Sequence, residues 1–159
     1  MSADLPVKIQ LGLDELARAR DEFTPLTRRV AQTMPGVIEI AAACAMLHSF
    51  YTEIEKILKL VALDFDHHLP SSDSWHRGLL NQMASPTTKR PAVISSELVK
   101  PLAELLAFRH LFRGASIALM RWDKLVPLID QANAVHEEFV QQMGRFSVFC
   151  GTLKGAGEQ

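Results

Sequence analysis

Arg109, His110 and Arg113 fall within one helical turn of each other in the segment LVKPLAELLAFRHLFRGAS, residues 98–116. Guanidinium and imidazole groups at that spacing suit a phosphate. The planar guanidinium fork matches phosphate oxygens, and imidazole trades protons near neutrality. Leu98, Leu102, Leu105, Arg109 and Phe112 share one helical face, which puts an arginine in the middle of an apolar stripe. His110 and Arg113 can share the adjoining face. A guanidinium directed inward needs a counter-charge. The competing reading is therefore structural: Arg109 pairs with an acid such as Glu53 or Glu55 on another helix and meets no ligand.

Other chemistry-bearing residues give weaker signals. Asp64, Asp66, His67, His68, Asp73 and His76 form a cluster of types that bind metals. A polar helix end also favours histidines, because the carbonyl end of the macrodipole attracts positive charge. No metal site is expected here. Trp75, ahead of LLNQM, reads as a plug at the end of a bundle with its indole N–H paired. His48 and His136 are isolated and read as hydrogen-bonded histidines of the core or surface. No glutamate has a histidine three residues on, so the ligand pattern of di-iron bundles is absent. Glycine-rich phosphate loops, His-Glu-x-x-His and Gly-x-Ser-x-Gly are absent too.

The elements that must carry these residues are helical. Gly and Pro divide the chain. Asp14 to Met34 has helical composition with Pro25 as a kink or break, and Met34-Pro35-Gly36 is a stop. From Val37 a helix runs to about Asp66, with Leu47, Phe50, Tyr51, Ile54, Ile57, Leu58 and Val61 on one stripe and Glu53, Glu55, Lys56 and Lys59 mostly off it. Such a helix is roughly 45 Å long, which implies an elongated bundle. Its first half, VIEIAAACAML, is apolar nearly all round and fits more than one neighbour, including a second subunit. Trp75 to about Met83 makes a short helix whose caps are offered by the loop 68–74, and ASPTTKRP is a loop. Further helices run from Glu97 to about Ser116, with Pro101 near its start, and from Asn133 to about Phe149, with a short piece at Met120–Leu128. The expectation is one all-α domain over 1–159, an up-and-down bundle of four or five helices, with 1–10 and 151–159 loose.

Composition sets outer limits. With 159 residues and 48% hydrophobic, the chain can bury one real core. Seventeen basic residues against 18 acidic give a net charge of −1, which excludes a charge-driven disordered chain and a grip on nucleic acid through overall charge, but not a local basic patch. Cys44 and Cys150 make neither a disulfide framework nor a zinc set and read as buried free thiols. No apolar run has signal or membrane-span length, so a soluble cytoplasmic protein is expected.

Four segments in order, HSFYTEIEKILKLVA, LPSSDSWHRGLLNQM, RPAVIS and ELLAFRHLFRGAS, resemble the HepT-like proteins of the HEPN superfamily over roughly Leu47 to Phe149. The resemblance implies a helical bundle that forms a homodimer along its long helices. It implies the toxin half of a toxin–antitoxin pair, with a small MNT-type nucleotidyltransferase as partner. Active relatives are metal-independent ribonucleases with a paired site at the dimer interface, and no cofactor is implied. The signature resembles Arg-His-x-x-Arg-(His or Asn)-x-Tyr. Arg109, His110 and Arg113 match it, whereas Gly114 stands at the His/Asn place and Ser116 at the Tyr place.

Those two departures matter chemically. Metal-free RNA cleavage needs a base for the ribose 2′-proton and an acid for the leaving 5′-oxygen. Arginine stabilises the charge that builds on phosphorus. Glycine supplies none of this, and losing a general acid–base costs about 10²- to 10⁴-fold. His110 is the substitute base, though it lies about 100° round the helix from Arg109. In some relatives the partner attaches AMP to the motif tyrosine, and Ser116 offers only a serine hydroxyl. Gly114 also weakens the helix by up to about 1 kcal/mol, which predicts fraying or a close backbone approach there. The expectation is a HepT-like protein with a degraded ribonuclease site that binds its nucleotidyltransferase partner and RNA phosphate through Arg109 and Arg113. The alternatives are a working endoribonuclease using Arg109 and His110, and a structural dimer with no RNA contact.

Overall fold

A computed structural model describes residues 2, 4–30, 32–71, 74–114 and 116–156, without the side chains of 154–156. Among the described residues every regular element is helical. The elements are α1 (Leu5–Asp21), α2 (Phe23–Val30), α3 (Val37–Val61) running into a π turn (Ala62–Asp66), α4 (Trp75–Ala84), α5 (Ser96–Gly114), a 3₁₀ turn (Ile117–Leu119) and α6 (Trp122–Ala156). This is the expected all-α bundle.

Side-chain pairings fix its topology. Gly12 on α1 faces Ile57 on α3, and Ser2 reaches Asp64, so α1 and α3 run antiparallel. Arg109 and Phe112 on α5 meet Glu55 and His48 on α3, so these helices are antiparallel as well. Gln131 of α6 donates to the Pro101 carbonyl at 2.7 Å, and Gln142 donates to Ser95 Oγ at 3.1 Å, which sets α6 antiparallel to α5. Phe50 faces His136 and Phe65 faces Phe146, so α6 is parallel to α3. Four helices therefore surround one core in up-and-down order, with α3 at its centre. Gly12 permits the closest approach: a β-carbon there would lie 2.6 Å from Ile57 Cγ1.

Three departures from the sequence reading have physical causes. Residues 5–10, expected to be loose, open α1. Leu5, Ile9, Leu13 and Leu16 make one stripe, and Leu5, Ile9 and Leu16 are fully buried. The chain 14–34 divides at Glu22, before Pro25, and gives a separate α2. The pieces expected at 120–128 and 133–149 are one helix. Pro127 lies in its second turn, and the apolar stripe Leu125, Ile129, Ala132, Val135, Phe139, Met143 and Phe146 continues through it without a break. That helix extends to Ala156, past the expected loose start at 151, while 157–159 lie outside the described residues.

The loop after α4 is closed by a buried arginine. Arg90 is 2% exposed and spends all five N–H groups. Two bonds go to Asp66, at 2.9 and 2.6 Å, and three go to the carbonyls of Gln82, Ser85 and Pro91. The π turn brings Asp66 to this guanidinium, and His67, at φ 51°, ends the helix in the left-handed region. Both cysteines are buried thiols outside any disulfide, as expected. The start of α3 is less covered: Val37 and Ile38 are 66% and 75% exposed beside a groove of 420 Å³ formed with Leu26, Ala42 and Met46.

Candidate functional site

The α3–α5 seam forms because each helix carries a charged residue in an otherwise apolar stripe. Glu55 follows Tyr51 by one turn and precedes Leu58, and all three are buried. The expectation that Glu55 faces away from the stripe is thus corrected: its side chain is 4% exposed. Arg109, 11% exposed, enters from α5 and donates from Nη1 to Glu55 Oε2 at 2.8 Å. Of the two acids considered as its counter-charge, Glu55 is the partner, while Glu53 pairs with Lys56. The Tyr51 ring lies 5.7 Å from the guanidinium carbon. Arg109 Nε is buried without an acceptor among the described residues.

Glu55 is a hub. Its Oε1 meets Lys59 Nζ at 3.0 Å, and its Oε2 also accepts a hydrogen bond from His76 Nδ1, on α4. A carboxylate can only accept, so the Nδ1 proton of His76 is fixed by this contact. Burial raises the Glu55 pKa, but the hydrogen bonds from Lys59 and His76 and the charge of Arg109 outweigh it and hold the carboxyl below its usual range. Burial and the nearby Glu55 charge push the Tyr51 phenol well above 10.

Outside this pair the surface turns basic. The His76 ring stacks on Trp75 at 3.6 Å and meets the His110 ring edge-on at 5.1 Å. Lys59 lies over the Trp75 ring at 4.3 Å. Trp75 is half-buried against the core, so its packing role holds, with a cation on its face. Partial burial, followed by repulsion from His76, Arg109 and Arg113, lowers the His110 pKa below 6.5. Burial, then Arg109 and Arg113, does the same to His48, which packs on Phe112. Arg113 is exposed.

Gly114 is the last residue of α5. A β-carbon built there meets nothing within 4 Å, so the helix ends at Gly114 and the alternative of a close backbone approach does not hold. Ser116 Oγ accepts from Ala118 N–H at 3.3 Å and caps the 3₁₀ turn.

The residues considered as metal ligands disperse. Asp66 binds Arg90, Asp64 binds Ser2, His67 donates to the Leu63 carbonyl, and His76 serves Glu55. Asp73 lies outside the described residues. Among the described residues no three His, Cys, Asp or Glu converge as a metal-holding group.

Sequence reasoning missed His76 as the third member of the seam, and Arg77 and Lys59 beside it. The signal for Glu55 was present, since a glutamate four residues after a buried tyrosine points the same way. No sequence signal ties α4 to α3, because that contact depends on the course of the loop 67–74.

An antiparallel helical bundle with Arg109 held in the α3–α5 seam and His110 next to it is the architecture that the HEPN resemblance implies. The model of the family described as "HepT-like protein" matches residues 42–150, more than half of the chain, and the chain belongs to that family. No curated protein and no solved structure shows significant similarity to it.

Proposed function

We propose that this HepT-like chain acts by binding, as the toxin-type member of a pair whose other half is an MNT-type nucleotidyltransferase, and that its ribonuclease centre is degraded. Family membership supports the HEPN-type, ribonuclease-like class. One observation carries the finer reading. The only motif arginine inside the seam is already neutralised by Glu55 at 2.8 Å, and the place of the family's imidazole is a bare glycine with open space around it. An arginine whose charge is compensated by a buried carboxylate gives little stabilisation to a phosphorane. Exposed Arg113 remains to meet RNA phosphate.

We also propose a homodimer seated on the N-terminal half of α3 in a cytoplasmic protein. The exposed Val37 and Ile38 and the adjoining apolar groove support the interface. By length and composition Val37–Asp66 is also apolar enough to cross a membrane, as core helices of soluble proteins are. Here five helices pack on it.

The test is light scattering of the chain alone and mixed with an MNT-type nucleotidyltransferase, beside RNA binding by wild type and Arg113→Ala. A dimer, a mixed complex and salt-sensitive RNA binding weakened by Arg113→Ala support the reading. A monomer that binds neither partner overturns it.

A second reading is a working metal-independent endoribonuclease. What favours it is the His76–His110 imidazole pair, with His110 held below its usual pKa and therefore neutral, as a base must be, near pH 7. Cleavage in EDTA that disappears with His110→Ala would establish it.

A further inference from the structure

The α4–α5 face carries a second feature beside the seam. Its N-terminal turn of α4 and the middle of α5 enclose a cleft of 230 Å³. His76 and Arg77 line it from α4, His110 lines it from α5, and Ala103 and Ala107 leave space at its floor. Ser74, the cap residue of α4, stands at its rim.

The charges here do not balance. Among the described residues that line the cleft there is no carboxylate. Arg77 and His110 are both exposed, and Arg113 lies near enough to His110 to repel its proton. Glu55, the acid that holds His76, is 3% exposed and already engaged by Lys59, His76 and Arg109. Arg77 supplies the standing positive charge at this hollow, with the neutral His110 ring as a further donor, and a hollow of positive potential concentrates anions. The contact from Glu55 Oε2 to His76 Nδ1 fixes which ring nitrogen carries the proton on the inner side. The N–H end of α4 adds partial positive charge at the same rim.

Size narrows the ligand. The cleft is smaller than the roughly 300–1,000 Å³ of sites that enclose drug-sized molecules. It fits one phosphate with its sugar rather than a whole nucleotide cofactor. Guanidinium and imidazole donors on two sides match a phosphate's several oxygens better than a planar carboxylate.

We infer that the α4–α5 cleft, through Arg77, His76 and His110, is a phosphate-binding site that seats the phosphate of a ribonucleotide or of RNA. This deepens the RNA-binding part of the proposed function and adds α4 residues that the family signature does not contain. It shares His76 with the seam, through Glu55, while Arg109 takes no part in it.

The experiment follows the histidine ring signals by NMR during titration with inorganic phosphate, 5′-AMP, and a short RNA with and without a 5′-phosphate. Trp75 fluorescence in a Trp122→Phe background gives a second readout, because Trp75 stacks on His76. Phosphate and 5′-AMP should shift His76 and His110 saturably and leave buried His136 in place. Arg77→Ala and His110→Gln should each weaken binding at least about tenfold, the loss expected for one charge-assisted hydrogen bond. Both side chains are exposed, so both variants should keep the wild-type thermal midpoint. Preference for 5′-phosphorylated RNA would identify a terminal phosphate, and equal binding of both RNAs an internal one. Failure of phosphate and 5′-AMP to shift these rings saturably, or wild-type affinity in both variants, overturns the cleft. RNA binding that survives both variants but weakens in Arg113→Ala leaves the proposed function standing and refutes the cleft alone. Phosphate binding that holds while RNA fails to bind keeps the cleft and refutes the RNA reading.

Discussion

Replacing Glu55 with glutamine keeps the side chain's shape and removes the charge on which the seam depends. Arg109, 11% exposed, has Glu55 as its ion-pair partner and would be left as a desolvated cation. Breaking a buried ion pair from one side costs about 3–5 kcal/mol. The retained amide oxygen can still accept a bond, so the lower end, about 3 kcal/mol, is expected. For a chain of this length that is a fall in thermal midpoint of about 6–12 °C. The opposite change should cost less. Arg109→Met leaves Glu55 with Lys59 at 3.0 Å and with His76, so the carboxylate stays compensated and the loss is about 1–2 kcal/mol. The double variant removes both charges and should recover at least about 1 kcal/mol relative to the sum. Urea unfolding followed by far-ultraviolet circular dichroism measures the whole cycle. Equal costs for the two single changes, or strict additivity, would refute a seam organised around Glu55.

Other consequences can be checked with the same methods. Arg90→Met removes the ion-pair partner of Asp66, which keeps its bond from Gln82 Nε2, and the donors to the Gln82, Ser85 and Pro91 carbonyls, and should lower stability by about 3 kcal/mol or more in urea titrations. Burial keeps His136 and His48 below 6.5, so the unfolded chain takes up protons first as pH falls through 6.5. Stability is therefore fully present above that value and declines as pH falls below it, and His136→Gln should flatten the slope. A further loss is expected below 4.5, where Glu55, held under its usual pKa, is finally protonated. Ile38→Glu places a charge on the exposed start of α3 and should shift light-scattering mass from dimer to monomer without changing the unfolding midpoint of the monomer.

Much of the bundle was readable because α3 and α5 carry unbroken apolar stripes and because Pro35-Gly36 and the residues 85–91 mark clear breaks. Arg109 in the Leu98–Phe112 stripe was readable for the same reason, and so was the need for an acid opposite. What escaped were contacts decided by other elements. α6 overrides Pro127 because the core rewards a continuous stripe. Leu5 and Ile9 order the start of the chain because α3 offers them a groove. His76 reaches Glu55 only because α4 packs on α3, and the polar composition of 67–74 gives no sign of that contact. Arg90 looked like part of a solvated loop, although three of its donors satisfy carbonyls that would otherwise need water and two hold Asp66.

On the proposed reading, a guanidinium closed by Glu55, five residues ahead of a glycine in place of an imidazole, no longer cuts RNA. Incubation of the pure protein with labelled single-stranded RNA in EDTA tests it, with Gly114→His and Arg109→Lys run alongside. The account predicts intact RNA with wild type, and weak cutting with Gly114→His, where the added side chain has open space. RNA cleavage by the wild-type chain that disappears with Arg109→Lys, in a variant that remains folded, would contradict it.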